Sequence, residues 1–295
     1  PETTLVDVAA VADLIDEDTV AIMGSACNYG YGTVDPIGEL SDLALERGVG
    51  LHVDGCLGGF ILPWGEPLGY DIEPFDFRVP GVTSISADTH KYGYGFKGTS
   101  VVAFRDTAYR TAQYFFLTGW TGGKYFSPGM DGSRSNGLLA STWAGMVKLG
   151  REGYLRYAKQ IFETAFAMQE VVQSHPELRI MGEPTFCFSF TSDEFDIYLV
   201  NDFMRGRGWR FNGQQYPNAI HMAVTRPQTR PGLVDTFADD LAEAVAYAKE
   251  HADEQPLSGA IYGGVEGGLT DEADEFLRTV MTGMMDDMQS VPDPT

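Results

Sequence analysis

The chain reads as an α/β protein: a large domain with a mixed, mostly parallel sheet, then a smaller C-terminal α/β domain. Three observations predict this. Short β-branched runs alternate with helix-length amphipathic runs over roughly the first hundred residues. A glycine-rich aromatic stretch without periodicity, 114–136, then interrupts the alternation, and a strand–helix–strand–helix series resumes beyond His175-Pro176. With 295 residues and 43% apolar content, the chain is long enough to bury a sizeable core. The boundary is placed at residue 150, giving domains over 1–150 and 151–295.

The elements follow in order. Residues 5–15 carry apolar side chains at helical spacing, and Thr19–Met23 reads as a buried strand that ends in the loop GSACNYGYGTVDP. Asp35-Pro36 starts a helix that runs to about Arg47, with proline in its first turn. Gly50–Asp54, TSISAD (83–88) and GTSVVAFRD (98–106) are the next three strands, and helices are expected from about 137 to 174. Beyond them TFCFSF and NAIHMAV read as strands, and DIYLVNDFMRGRG and LVDTFADDLAEAVAYAKEH as helices. A last amphipathic helix is expected near 271–288.

Charge and cysteine content narrow the function. Forty-two acidic residues against 20 basic ones leave a net charge of −22, which opposes nucleic acid and anionic membrane as partners. Three widely spaced cysteines, Cys27, Cys56 and Cys187, make no CxxC pattern and no disulfide framework, which suits a reducing compartment. The histidines show no metal-ligand spacing, and no apolar run reaches the roughly 18–20 residues that span a bilayer. A cytoplasmic location is the expectation. The start, PETTLVDVAAVADLI, has no initiator methionine and no signal-peptide pattern, so residue 1 is expected to be an internal boundary of a longer polypeptide.

The chemistry is carried by strand ends. Asp54 closes LHVDG, and Lys91, one of six lysines, follows the run SISADTH. In open α/β sheets ligands bind beyond the carboxyl ends of strands. A carboxylate and an amine there suit pyridoxal phosphate (PLP), which needs a lysine for its aldehyde, an acid for its ring nitrogen and an anion site for its phosphate. Desolvation and the neighbouring pyridinium of the cofactor are expected to push the Lys91 amine toward its neutral form. Gly55 would let backbone and ring approach closely, and His90 could donate to the phosphate. Taken singly these signals are weak. Asp54 also reads as a strand-end cap, and GSACNYGYG lacks the lysine and spacing of a P-loop.

The segments LHVDGCLGGFILPW, FDFRVPGVTSISADTHKYGYGFKGTSVVAFRD, GWTGGKYFSPGMDGSR and GAIYGG resemble the sphingosine-1-phosphate lyases, within the group II decarboxylase family of fold-type I PLP enzymes. The resemblance runs from about residue 20 to about 265. It implies a PLP-dependent transferase-like fold, with Lys91 as Schiff-base lysine, His90 on the cofactor phosphate and Asp54 on the ring nitrogen. Gly132-Ser133-Arg134 would reach the cofactor phosphate of a neighbouring subunit, which implies a homodimer with shared sites. Tyr262 would close over the phosphate end of the substrate, or else pack under the C-terminal helix. The implied reaction is retro-aldol cleavage of a phosphorylated sphingoid base, or a similar phosphorylated amino alcohol, to a fatty aldehyde and phosphoethanolamine.

Two alternatives remain: an amino-acid decarboxylase on the same scaffold, and a truncated, non-catalytic dimerisation module. A lyase needs a cationic pocket and an apolar channel, and the aromatic stretch 114–126 favours such a channel. The chain departs from the family in having Gly55 where alanine is usual, and SNG where PG follows GSR. The family's ring-stacking histidine and Gly/Thr phosphate loop lie upstream of the region aligned with residue 1.

Overall fold

The computed structural model describes residues 3–259 and 270–289. Helix α1 (Val8–Leu14) starts at Asp7, whose carboxylate accepts from the Ala9 and Ala10 amides. Strand β1 (Ala21–Ser25) leads to α2 (Ile37–Arg47), which stops at Gly48 in the left-handed conformation, φ 68°. Strand β2 (Gly50–Gly55) returns beside β1. After a one-turn helix, α3 (Gly65–Leu68), come β3 (Val82–Ala87) and β4 (Val101–Phe104).

These four strands form one sheet in the order β1-β2-β3-β4. β1, β2 and β3 run parallel and β4 closes the edge antiparallel, so the sheet is mixed and mostly parallel. Burial along β2 alternates. Leu51 and Val53 turn into the core shared with Ile37, Leu40 and Ala44 of α2, while His52 and Asp54 turn to the opposite, half-open face. The register shifts between Leu51 and His52, after which His52 pairs with Ser84 and Asp54 with Ser86.

The stretch 114–136, expected as a loop, contains a small antiparallel hairpin of β5 (Phe115–Leu117) and β6 (Tyr125–Ser127). A short helix, α4 (Thr107–Thr111), precedes it. Helix α5 (Asn136–Gln173) then breaks at Gly150 (φ 58°, ψ −179°), the residue at which the domain boundary was expected. Its second half buries Ile161, Phe162, Ala165, Met168 and Val172, an i, i+4, i+7 stripe.

The C-terminal sheet is wholly antiparallel, in the order β7-β8-β10-β9. Its central strands β8 (Cys187–Ser192) and β10 (Ala219–Ala223) are flanked by the three-residue strands β7 (Leu178–Ile180) and β9 (Asn212–Gln214). Helices α6 (Ile197–Gly206) and α7 (Leu233–Glu250) pack together with α5 around Phe186, Phe188, Phe190, Tyr198 and Phe237, all fully buried. The last described element is α8 (Asp271–Gln289). No described helix is long and apolar enough to cross a membrane.

Side chains tie the two sheets together. The Tyr92 hydroxyl donates to the Val224 carbonyl at 2.8 Å, and the Tyr154 hydroxyl to the Gly93 carbonyl at 2.7 Å. The turn after Lys91 is thereby fixed between β3 and the second half of α5.

Candidate active site

Adjacent parallel strands bring Asp54 and the segment after β3 to one edge of the first sheet. The Asp54 carboxylate accepts through Oδ1 from the Cys56 amide (2.9 Å) and from the Ser86 hydroxyl (2.9 Å). Partial burial opposes its ionisation, but these two hydrogen bonds and the nearby His52 outweigh it and hold the carboxyl below its ordinary value.

A directed chain of hydrogen bonds lies behind it. Ser86 donates to Asp54, so its oxygen accepts from His52 Nε2–H at 3.3 Å, and His52 Nδ1 then accepts from the Ser84 hydroxyl at 2.8 Å. Burial pushes the His52 ring below its usual value despite the neighbouring Asp54, which keeps the imidazole neutral as this arrangement requires.

Lys91 sits in a tight turn after β3. Its amide donates to Asp88 O at 3.2 Å, the Tyr94 amide donates to Lys91 O at 3.1 Å, and the Gly95 amide returns to Thr89 O at 2.8 Å. Gly93 has to be glycine here, because a Cβ would fall 2.6 Å from Thr89 O. Tyr94 adopts a left-handed φ of 59°.

The Lys91 amine is 2.9 Å from Asp88 Oδ2, and Asp88 Oδ1 accepts from the Ser100 hydroxyl at 2.5 Å. Among the chain's own groups the balance runs against the desolvation part of the expected depression. Partial burial does lower it, but the bond to Asp88 outweighs burial and holds the amine above its ordinary value. Burial likewise opposes ionisation of Asp88, and the hydrogen bonds from Ser100 and Lys91 overcome it. His90 Nδ1 donates to the Thr99 carbonyl at 2.8 Å, which leaves Nε2 as its outward end, 3.8 Å from Asp88.

The charges of Asp54 and Lys91 both bear on the Cys56 thiol, Asp54 raising it and Lys91 lowering it. Burial and the Asp54 charge push this thiol up, so it is neutral near pH 7.

The donor set fits PLP. Asp54 is an ionised acceptor whose two oxygen- and nitrogen-donor hydrogen bonds both fall on Oδ1, and a primary amine follows the neighbouring parallel strand β3. A Cβ at Gly55 would meet Ser86 O at 2.8 Å and Gly59 Cα at 3.2 Å, so its bareness admits the neighbouring backbone.

The structure therefore gathers His90 and Lys91 around Asp88 and sets Asp54 on the adjacent strand β2. Gly132 and Ser133 lie on the exposed segment between β6 and α5, where Arg134 pairs with Asp131 at 3.4 Å. Among the described residues no hydrogen bond joins them to the other three. Tyr262 lies outside the described residues. Sequence reasoning missed His52, Ser84, Ser86, Asp88 and Cys56. The strand period of two was the available signal: His52 and Asp54 on β2, with Ser84 and Ser86 on β3, must share a face.

Known proteins bear on this geometry. A family model described as the pyridoxal-dependent decarboxylase conserved domain matches residues 12–190. The sphingosine-1-phosphate lyase of Dictyostelium discoideum is 47% identical over 226 residues, 76% of this chain and 42% of that protein. Sphingosine-1-phosphate lyase 1 of Mus musculus is 43% identical over 227 residues, 76% and 40% respectively. The chain thus spans less than half the length of these curated relatives. A solved structure of the Burkholderia pseudomallei sphingosine-1-phosphate lyase superposes with a TM-score of 0.89 at 57% identity, over 99% of this chain and 61% of that one. The Lactobacillus brevis glutamate decarboxylase, at 22% identity and a TM-score of 0.70 over 84% of this chain and 59% of that one, shares the fold.

Proposed function

The chain belongs to the pyridoxal-dependent decarboxylase family, and on that premise we propose that it is the catalytic part of a PLP-dependent carbon–carbon lyase. Its substrate is a phosphorylated sphingoid base or a similar phosphorylated amino alcohol, cleaved between C2 and C3 to a fatty aldehyde and phosphoethanolamine. The observation that carries this reading is the placing of Asp54 near the end of β2 and of Lys91 in the turn that follows the adjacent parallel strand β3. The sphingosine-1-phosphate lyase relatives direct it to this substrate class.

When bound, the cofactor supplies an aldehyde for amines and a ring that accepts the electron pair of the broken bond. The chain supplies the rest. Asp54, held ionised by the Cys56 amide and Ser86, offers negative charge for a protonated ring nitrogen. Lys91 must shed a proton to act as a nucleophile, and the ion pair with Asp88 Oδ2, 2.9 Å away, opposes that loss. His90 has its Nδ1–H committed to Thr99 O, so only its Nε2 is left to face a phosphate, to which it donates when the ring carries both protons.

We place the protein in the cytoplasm as a homodimer, with Gly132 and Ser133 reaching the partner's cofactor phosphate. The exposure of that segment beside the aromatic hairpin supports this. The experiment is direct: the protein with PLP is given a phosphorylated long-chain amino alcohol, and products are followed by mass spectrometry. Aldehyde and phosphoethanolamine in equal amounts support the lyase. Carbon dioxide release from amino acids without aldehyde formation refutes it in favour of decarboxylation.

A further inference from the structure

The stretch from Phe203 to Val234 reverses the charge of the chain around it. In a protein of net charge −22 it carries five arginines, Arg205, Arg207, Arg210, Arg226 and Arg230, and no aspartate or glutamate. Folding gathers three of them at one place. Where α6 ends, Gly208 takes a left-handed φ of 97° and the chain turns toward β9, while the 3-10 turn Arg226–Thr229 leads from β10 into α7. Between these two connections and the first half of α7 lies a cavity of about 330 Å³, at the small end of ligand pockets. Arg207, Arg210 and Arg230 line it together with Trp209, Met222 and Leu233, and none of its walls comes from the first sheet.

The positive charge of this cavity is not cancelled from within. Arg207 is paired with Asp240, at 3.2 Å, and with Glu243. Asp240 is fully engaged, since its other oxygen accepts from the Trp209 indole at 2.8 Å. Arg210 donates through Nη1 to the main-chain carbonyls of Arg205 (3.1 Å) and Trp209 (2.8 Å), and Arg230 donates through Nε to that of Pro227 (3.1 Å). Among the described residues neither meets a carboxylate, so both keep N–H donors for an anion. Gln228, also on the wall, has its Oε1 taken by the Thr225 amide and hydroxyl, which leaves its Nε2 as a further donor.

We propose that this cavity binds the dianion of a small phosphate monoester, its phosphate held by Arg210, Arg230 and Gln228 and its organic body laid against Trp209, Met222 and Leu233. Guanidinium groups match phosphate oxygens in a fork geometry and hold them by charge-assisted hydrogen bonds. The apolar wall separates an ester from inorganic phosphate, because a hydrocarbon body that leaves water there adds affinity. The size of the cavity and the negative charge of the rest of the chain disfavour polyanions, so a small mobile anion suits the local reversal. The cavity shares no residue with the site of Asp54 and Lys91 and does not depend on the reaction assigned to them.

The test labels the PLP-loaded protein with 5-fluorotryptophan and follows it by fluorine NMR at constant ionic strength. Inorganic phosphate and n-butyl phosphate are titrated separately, and bound PLP keeps both probes out of the cofactor's own anion site. The Trp209 resonance is identified by its absence in Trp209→Phe. It should move saturably while those of Trp64, Trp120 and Trp143 stay in place, and butyl phosphate should bind about tenfold tighter than inorganic phosphate. Arg210→Gln with Arg230→Gln should weaken both probes at least about tenfold. Both side chains are exposed, and unchanged resonances from the other three tryptophans report that the fold survives the substitutions.

No movement of the Trp209 resonance with either probe, a movement shared by all four tryptophans, or one that persists in the double variant overturns the proposal. Equal affinity for the two probes overturns the assignment of an ester.

Discussion

Removing the Ser86 hydroxyl tests how Asp54 is kept ionised. In Ser86→Ala the carboxylate loses a 2.9 Å hydrogen bond and retains the one from the Cys56 amide. A hydrogen bond to a charged group contributes roughly 1.5–3 kcal/mol, and the half-open position of Asp54 reduces this to about 1–2 kcal/mol. In an Asp54→Asn background the same hydroxyl meets a neutral amide, and its loss should cost under about 1 kcal/mol. The coupling in the double-mutant cycle is then about 1 kcal/mol, and the partner lost by His52 Nε2 cancels because it is lost in both backgrounds.

Urea denaturation at pH 7 measures the cycle, and repeating it toward acid adds a second readout. Because the Asp54 carboxyl lies below its ordinary value, its contribution to stability is complete above the unfolded value of about 3.9 and drains away as pH falls below it. Ser86→Ala should shrink that acid loss. Equal costs in the two backgrounds, with an unchanged acid limb, would refute the argument that Ser86 serves the carboxylate.

Two further outcomes are expected. Asp88→Asn removes the acceptor that holds Lys91 above its ordinary value, so the amine should lose its proton at lower pH. The pH profile of imine formation with PLP, followed by absorbance, should therefore shift to the acid side, and an unmoved profile would exclude the ion pair as the cause. His221 is buried between Cys187 Sγ (3.5 Å) and the Asn212 amide (3.1 Å), and burial pushes it down to about 4. The unfolded chain therefore takes up a proton that the folded one refuses, and about 3 kcal/mol of stability should be lost as pH falls from about 6.5 to about 4. His221→Gln should flatten that slope in denaturation curves at pH 7, 6 and 5, and a slope that persists would place its origin elsewhere.

How much could be read before the structure depended on periodicity. β2 and β3 were readable because β-branched runs end abruptly in Asp54 and in the turn before Lys91, and α2 because Pro36 and Gly48 punctuate it. β5, β6, β7 and β9 each have three residues, too few to show alternation, so the hairpin and the antiparallel order of the second sheet stayed hidden. The site was partly visible. Asp54, His90 and Lys91 stand out by residue type and place, whereas His52, Ser84 and Ser86 act only through cross-strand register, which a bulge between Leu51 and His52 sets. Asp88 sits one turn before Lys91, yet nothing local says that its side chain folds back on the amine.

The central claim is that Lys91 is the cofactor lysine, and chemical trapping tests it most directly. The protein is incubated with PLP and reduced with borohydride, and the adduct is located by peptide mass spectrometry. A pyridoxyl group on Lys91, absent in Lys91→Ala, is the predicted result. A pyridoxyl group spread over the other five lysines with Lys91 unmodified would contradict it.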